Sequence, residues 1–195
     1  MPNNTKRCRY CKQKHLESEM VRVQMSWFCN YDHATKFALD KLEQKKEKEI
    51  KAKVKELKVK NKTLSQLKKE AEYYVNAYVR IRDEGKPCCS CSKPHQSGDQ
   101  AGHFIAVGSC DELRFNTKNI HSQCIECNLY QSGNLLGYRD YMVKRYGEQL
   151  VNDFQDLARS KRINKWDRDY LIRLKDVFKR RCTHLKKIKN NQQKS

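Results

Sequence analysis

Ten neighbouring residues, NIHSQCIECN at positions 119–128, hold the side chains best suited to chemistry. Asn119, His121 and Asn128 offer nitrogen and oxygen atoms, and Cys124 and Cys127 form a C-x₂-C pair. Two thiolates at this spacing are typical of a structural zinc site. An imidazole and carboxamides can instead act on a substrate or hold a harder cation. The stretch therefore predicts either a structural metal alone or a structural metal beside a catalytic site.

A second C-x₂-C pair lies about thirty residues upstream, and the two pairs together make a set of four thiolates. Such a set is expected to bind one zinc ion and to leave no open coordination position, so this zinc has no catalytic role. The predicted ligands are Cys88, Cys91, Cys124 and Cys127.

A further zinc site is predicted near the N-terminus, with ligands Cys8, Cys11, Cys29 and His33. His15 stays open as the fourth ligand, although His33 follows Cys29 by one helical turn, where both side chains can face one ion. Disulfide partners are seldom spaced this closely, so the pattern indicates zinc in a reducing compartment. The cysteines outside both sets are predicted to be buried fillers or free thiols: Cys89, Cys110 and Cys182.

Short strands and amphipathic helices must position these residues. Two β-like segments, DQAGHFIAVG and LRFNTKNIHSQC, lie between the C-x₂-C pairs, and a helical stretch with a break at Ser132-Gly133 follows the second pair. Before them, Thr63 and Gln66 form a predicted capping box at the start of an amphipathic helix that ends at Gly85. The order strand, loop, strand, helix is thus predicted, with zinc fastening its base.

The whole chain is predicted to be α+β and mostly helical, with small modules joined by solvated helices. Four parts are expected: an N-terminal zinc finger over residues 1–33, a Lys-rich helical arm over 34–62, a zinc-containing domain with the candidate catalytic residues over 63–158 and a basic helical tail over 159–195. The arm is predicted to be a solvated helix or a surface for DNA or dimerisation. The tail is predicted to pack on the core and to add affinity for DNA backbone.

Composition indicates a polyanionic partner. The 195 residues carry a net charge of +19 with a pI near 9.6 and a mean hydropathy of -1.00, which favours nucleic acid. No apolar run reaches the ~18 residues of a membrane span, and no signal peptide is recognised, so a cytoplasmic location is expected. Basic residues near the predicted site are expected to contact DNA: Arg114, Lys118, Arg139, Lys144 and Arg145.

The sequence resembles the His-Asn-Asn variant of the HNH, or ββα-metal, nuclease motif at three positions. His103 ends the first predicted strand, Asn119 opens the second, and Asn128 lies on the following helix. The resemblance implies that His103 is the general base, that Asn119 braces the loop of that histidine, and that Asn128 binds a catalytic Mg²⁺ or Mn²⁺ ion. The Asn directly after a zinc cysteine is also similar to phage endonuclease-VII-type Holliday junction resolvases.

A closer resemblance extends along nearly the whole chain. The segments NAYVRIRDEGKPCCSC, AGHF, LRFNTKNIHSQCIECN and SGNL, with the N-terminal cysteines and the Lys-rich helix, resemble the lambdoid phage NinG (Rap) recombination endonucleases. This resemblance implies a structure-specific endonuclease that cuts branched intermediates such as Holliday junctions or D-loops. It also implies a location in the host bacterial cytoplasm and further phage or host recombination proteins as partners.

The site departs from the commoner HNH pattern at Gly102. That position usually holds an Asp that binds the catalytic metal, so another residue must supply the ligand. His121 shares a strand face with Asn119 and is one candidate, which would make Mn²⁺ a good alternative to Mg²⁺. Asp99 is the other candidate. A packed or phosphate-contacting role for His121 is a competing interpretation.

Two other functions stay open. One is an HNH nicking endonuclease of broader substrate range, and the other is a zinc-dependent DNA-binding protein without catalysis. Because resolution of a four-way junction requires two opposed nicks, a homodimer is expected, with the Lys-rich helix as a candidate interface.

Overall fold

The computed structural model describes residues 4–160 and 165–192, which form two compact units divided after Lys62. As predicted, the fold is α+β and mostly helical. Across the described residues, no helix combines the length and the apolar character that a membrane span needs.

The first unit holds two short hairpins and one long helix. Strand β1 (Thr5–Arg7) pairs with β2 (Lys14–Leu16), β3 (Val21–Val23) pairs with β4 (Ser26–Phe28), and both pairs are antiparallel. Helix α1 spans Tyr31–Lys60 and begins before the arm predicted from residue 34. The side chain of Asn30 caps it by accepting a hydrogen bond from the backbone N–H of His33 at 2.8 Å. No residue of α1 is buried, because its apolar positions are too sparse to form a core face.

The second unit begins with helix α2, which spans Leu64–Asp83 and carries the predicted capping box at Thr63 and Gln66. Strands β5 (Gln100–His103) and β6 (Ile120–Gln123) form an antiparallel hairpin in which Gly102 lies opposite His121. A π-helical turn, Glu126–Tyr130, follows the hairpin. The predicted order of strand, loop, strand and helix is therefore confirmed, although β5 ends at His103, earlier than its segment suggested.

Three further helices complete this unit: α3 (Leu135–Tyr146), α4 (Glu148–Arg159) and α5 (Arg168–Gln192). The predicted break before α3 is confirmed. Ser132, Gly133 and Asn134 have φ values of 49°, 91° and 41°, a left-handed run that no α-helix can contain. The chain is thereby redirected from the π-helical turn into α3.

One core joins α2, α5 and the outer face of the hairpin. Its buried residues are Leu67, Ala71, Val75, Val79, Phe115, Ile120, Leu171 and Phe178. The predicted packing of the C-terminal helix is confirmed, and α5 belongs to the compact unit that starts at residue 63. The part predicted as a tail over 159–195 is therefore not a separate module in its described residues; residues 161–164 and 193–195 lie outside the described ranges.

A second core lies between the loop that follows β5 and helices α3 and α4. Its members include Phe104, Tyr138, Met142, Val151 and Phe154. Gly137 permits this packing, because a Cβ at that position would overlap the backbone carbonyl of Ser90. The two cores hold the hairpin from opposite sides and so fix the residues it carries.

Candidate metal centres and hairpin site

The N-terminal cluster brings together Cys8, Cys11, Cys29 and His33, whose donor atoms all lie within 4.8 Å of one another. The Cys11 and Cys29 sulfurs are 4.0 Å apart, and the Cys8 sulfur is 3.8 Å from His33 Nδ1. Tetrahedral zinc with Zn–S bonds of about 2.3 Å holds its sulfurs roughly 3.8 Å apart, so this set fits the ion. His33, on the first turn of α1, takes the fourth position that His15 could also have filled.

The second cluster joins Cys88 and Cys91 to Cys124 and Cys127, again with donor atoms within 4.8 Å. The Cys91 and Cys124 sulfurs are 3.7 Å apart, which suits the same tetrahedral ion. Cys124 directly follows β6 and Cys127 lies on the π-helical turn, so a zinc ion here would fasten the hairpin to that turn. The neighbouring Cys89 and Cys110 are instead buried in the core beside α3, as predicted for filler residues.

The thiols of the second cluster require a cation to ionise together. Burial, with the Cys91 and Cys124 sulfurs beside it, raises the pKa of Cys127 to about 12. Thiolates in such proximity repel one another unless a cation balances their charge. The site is therefore suited to a divalent ion that displaces the protons.

His103 ends strand β5 with one ring nitrogen engaged. Its Nε2 lies 3.1 Å from the backbone carbonyl oxygen of Arg114. Because a carbonyl oxygen only accepts, Nε2 carries the hydrogen and the lone pair of the neutral ring is on Nδ1. Burial lowers the pKa of His103 below its ordinary value of 6.5. The ring is therefore neutral at neutral pH, which is the protonation state that a general base needs.

Asn119 is fully buried, and its carboxamide fastens the loop that follows His103. Its Oδ1 accepts from the backbone N–H of Ile105 at 2.8 Å. Its Nδ2 donates to the carbonyl oxygens of Ile105 at 3.0 Å and Leu113 at 3.3 Å. These three hydrogen bonds hold the loop in place. His103 stands at the start of that loop, so Asn119 also helps to position His103.

Asn128 lies on the π-helical turn and reaches Gly102. Its Oδ1 is 2.9 Å from the position that a Cβ at residue 102 would occupy, and its Nδ2 donates to Gln100 Oε1 at 2.6 Å. Consecutive residues of a strand face opposite ways, so His103 leaves the hairpin on the other face. The structure thus brings Asn128 to the residue before His103 and places the two side chains on opposite faces of the strand end.

The suggestion that His121 replaces the missing metal ligand does not fit the structure. Both ring nitrogens are engaged, Nδ1 at 3.1 Å from the Tyr138 hydroxyl and Nε2 at 2.9 Å from the Tyr146 hydroxyl. Burial, with the positive charge of Arg82 nearby, lowers the pKa of His121 to about 3. The packed interpretation of His121 is the one that these contacts support.

Asp99 is equally unsuited to that role. Its carboxylate lies 3.1 Å from His95 Nδ1 and accepts from the backbone N–H of Gln96 at 3.2 Å. It precedes β5, at the opposite end of the strand from His103. Its side chain lines a cavity beside α2 and α5, and Asn128 is not among the residues that line this cavity.

The predicted DNA-contacting residues divide into paired and exposed groups. The guanidinium of Arg114 binds Glu72 at 2.8 Å and Asp111 at 2.6 Å, so its charge is used inside the fold and the prediction of a phosphate contact is not supported. Arg139 is paired with Glu148. The side chains that are exposed to solvent are Lys118, Lys144 and Arg145.

Gln123 was missed at the sequence level, although it shares a strand face with Asn119 and His121. It is fully buried, and its Nε2 donates to Ser90 Oγ and to the carbonyl oxygen of Gly133, both at 2.6 Å. The period-two pattern that singled out His121 applies equally to residue 123. On the other strand it is paired with Gln100 and lies diagonally across from Gly102, which has no side chain to compete for the space.

Comparison with known proteins identifies relatives across most of the chain. The family model described as "Bacteriophage Lambda NinG protein" matches residues 1–189. The protein ninG of Escherichia phage 933W is 32% identical over 164 residues, which cover 77% of this chain and 80% of the relative. The protein ninG of Escherichia phage lambda is 35% identical over 143 residues, with 66% and 70% covered.

No solved structure matches the chain. The family is shown instead by the sequence model, which extends through both cysteine clusters, the hairpin and most of α5. The chain belongs to the bacteriophage lambda NinG family.

Proposed function

We propose that the chain is a metal-dependent endonuclease that cuts branched DNA during phage recombination. The observation that carries the proposal is the arrangement of three side chains at the end of the hairpin. There Asn119 fastens the loop of His103, the lone pair of His103 lies on Nδ1, and Asn128 lies against the preceding residue. The HNH resemblance at these three positions supports the same assignment.

In this proposal each residue has a distinct role. His103 Nδ1 accepts a proton from the attacking water, and Asn119 holds the histidine in place through the loop. Asn128 directs its carboxamide oxygen toward a divalent cation, Mg²⁺ or Mn²⁺. Such a cation would stabilise the charge that develops on the phosphate and on the leaving 3′ oxygen. The four-cysteine cluster supports the site by fixing the turn that carries Asn128.

Branched DNA is the proposed substrate class for two reasons: the positive net charge of the chain and its resemblance to the NinG recombination endonucleases. A net charge of +19 favours binding through phosphates, which report the shape of a DNA junction more than its sequence. We expect a homodimer on a four-way junction, since resolution needs two opposed nicks. A cytoplasmic location and phage or host recombination proteins as partners belong to the same proposal.

The test uses the purified chain with a four-way junction and a linear duplex of the same sequence, in Mg²⁺, in Mn²⁺ and without added metal. We expect metal-dependent cleavage that prefers the junction. His103→Ala and Asn128→Ala should each lose most cleavage and keep both zinc ions and junction binding. His184→Ala, which removes an exposed histidine of α5, is the matched control and should cut normally.

The alternatives give different results in the same assay. Equal cutting of junction and duplex would indicate a nicking enzyme of broader range. Binding without cutting in either metal would indicate a zinc-dependent DNA-binding protein. Wild-type cleavage by His103→Ala would remove the histidine from the mechanism.

A further inference from the structure

One buried oxygen atom in the hairpin has no hydrogen-bond partner. Gln123 is fully buried, and its Oε1 is orphaned, whereas its Nε2 makes two hydrogen bonds. One of those bonds is to the carbonyl oxygen of Gly133, which can only accept, so the amide cannot be turned the other way. The oxygen is therefore held in place with its lone pairs unused. Leaving a buried acceptor unpaired costs about 1–3 kcal/mol, which calls for a missing partner.

A second carboxamide oxygen faces the same spot. Gln123 Oε1 and Asn128 Oδ1 both adjoin the position where a Cβ of residue 102 would lie, and Asn128 Oδ1 is 2.9 Å from it. Asn128 Nδ2 donates a hydrogen bond to Gln100 Oε1 at 2.6 Å, which leaves Asn128 Oδ1 facing Gly102. A cation placed beside that position can accept lone pairs from both oxygens. Gly102 leaves the space in which they meet.

We infer that Gln123 is the second protein ligand of the catalytic divalent cation, beside Asn128. This inference rests on the proposed function for the identity of the ion, Mg²⁺ or Mn²⁺. Gln123 then supplies from β6 the oxygen that an Asp at position 102 would supply from β5. Residue 102 is a glycine for a steric reason, because any Cβ there would overlap Gln123 Oε1.

The chemistry of the donors sets the properties of the site. Amide oxygens suit hard cations such as Mg²⁺ and Mn²⁺, which keep several waters and need few protein ligands. Both ligands are uncharged, so the negative charge must come from a DNA phosphate. The ion should therefore bind weakly to the free chain and much more tightly to the chain with DNA.

The test is Mn²⁺ binding, followed by the electron paramagnetic resonance signal of free Mn²⁺, with and without a four-way junction. His103→Ala serves as the background so that the DNA stays intact. In that background Gln123→Met, which keeps the length but removes the oxygen, should weaken DNA-dependent Mn²⁺ binding at least about tenfold. Gln149→Met, which removes an exposed carboxamide on α4, is the matched control and should bind Mn²⁺ normally.

Moving the proposed oxygen ligand from one strand to the other distinguishes loss of the ligand from loss of folding. Gly102→Ala should weaken Mn²⁺ binding, because its Cβ displaces Gln123 Oε1. Gly102→Asp combined with Gln123→Ala should restore Mn²⁺ binding, because the carboxylate occupies the space that the glutamine leaves. Zinc content and circular dichroism report whether each variant is folded.

Two results would overturn the inference. One is normal Mn²⁺ binding by a zinc-replete Gln123→Met protein, and the other is failure of the combined variant to bind Mn²⁺. A different result would contradict the proposed function alone. Gln123-dependent Mn²⁺ binding without cleavage by the wild-type chain would remove the nuclease assignment and leave the ligand assignment intact.

Discussion

His121 shows at the residue scale how burial creates a pH dependence. Its folded pKa is about 3, against an ordinary value of 6.5. As the pH falls below 6.5 the unfolded chain takes up a proton that the folded chain refuses, so this residue's contribution to stability is lost toward acid. The full contribution is present above pH 6.5.

We therefore predict that His121→Phe, which cannot titrate, changes the pH dependence of unfolding. Between about pH 7.5 and about pH 5.5, the stability of the wild-type chain relative to the variant should decrease by about 1.4 kcal/mol. Urea unfolding at both pH values measures this difference, with zinc content checked in each sample. Parallel pH profiles would contradict the assigned burial of the imidazole.

The site residues differ in how far the sequence could predict them. The two candidate zinc clusters follow from spacing, because a C-x₂-C turn fixes both of its sulfurs locally. His121 was misassigned because strand periodicity gives the face of a side chain but not the hydroxyls of Tyr138 and Tyr146 that meet it. Arg114 was misassigned because its partner Glu72 lies far away in sequence, on α2. The orphaned oxygen of Gln123 depends on three chain segments meeting, which no local pattern records.

At the scale of the elements, the four-cysteine cluster is expected to stabilise the packing of the π-helical turn against the hairpin. We predict that Cys88→Ser loses one zinc ion per chain and unfolds the hairpin region, because that ion fastens β6 to the π-helical turn. Cys89→Ala is the matched control. It changes the adjacent cysteine, which lies outside the cluster, and should keep both ions. Metal analysis and thermal unfolding test the pair, and equal zinc content in the two variants would show that the cluster is not a zinc site.

Helix α5 should contribute to the stability of the second unit as a core element. Phe178 is buried against α2, with its ring 5.3 Å from that of Tyr78. We predict that Phe178→Ala lowers the free energy of unfolding by about 3–5 kcal/mol. Ile188→Ala, at a position 39% exposed on the same helix, should change it by less than about 0.5 kcal/mol. Chemical denaturation measures both changes. A small loss for Phe178→Ala would contradict the role of α5 as a core element.

The helices themselves were largely predictable. The capping box at Thr63 starts α2 at the expected place, and the break near Ser132 separates the two helical stretches. The boundary predicted at residue 159 coincides with the end of α4, and the helix beyond it belongs to the unit that starts at residue 63. The sequence did not show this grouping, because an apolar stripe indicates that a helix packs but not which surface it packs against. Helix α2 supplies that partner surface, about a hundred residues earlier in the chain.

Over the whole molecule, positive charge is spread across both units. Residues 1–62 carry 17 basic and 8 acidic side chains, and residues 63–195 carry 25 and 15. Ion pairing neutralises some of these charges, inside the fold for Arg114 and at the surface for Arg139. The surface available to phosphates is therefore smaller than composition suggests.

Salt dependence measures that available surface. We predict that Lys118→Gln combined with Lys144→Gln lowers the slope of log Kd against log salt by about 2, since each lysine–phosphate contact adds about 0.9 on duplex DNA. Arg139→Gln, whose guanidinium already binds Glu148, should change the slope little. Fluorescence anisotropy at several salt concentrations gives the slopes. An unchanged slope in the double variant would place the DNA on another face.

The packing of α2 against α5 also sets the order of events during translation. Helix α2 is complete at Asp83, whereas α5 begins only at Arg168. At ordinary rates of synthesis the ribosome needs roughly 5–15 s to make the intervening chain. The apolar stripe of α2 therefore stays without its partner for that time, so the second unit can close only after α5 has been synthesised. A ribosome stalled before α5 would therefore display an unfinished core, an expected target for chaperones.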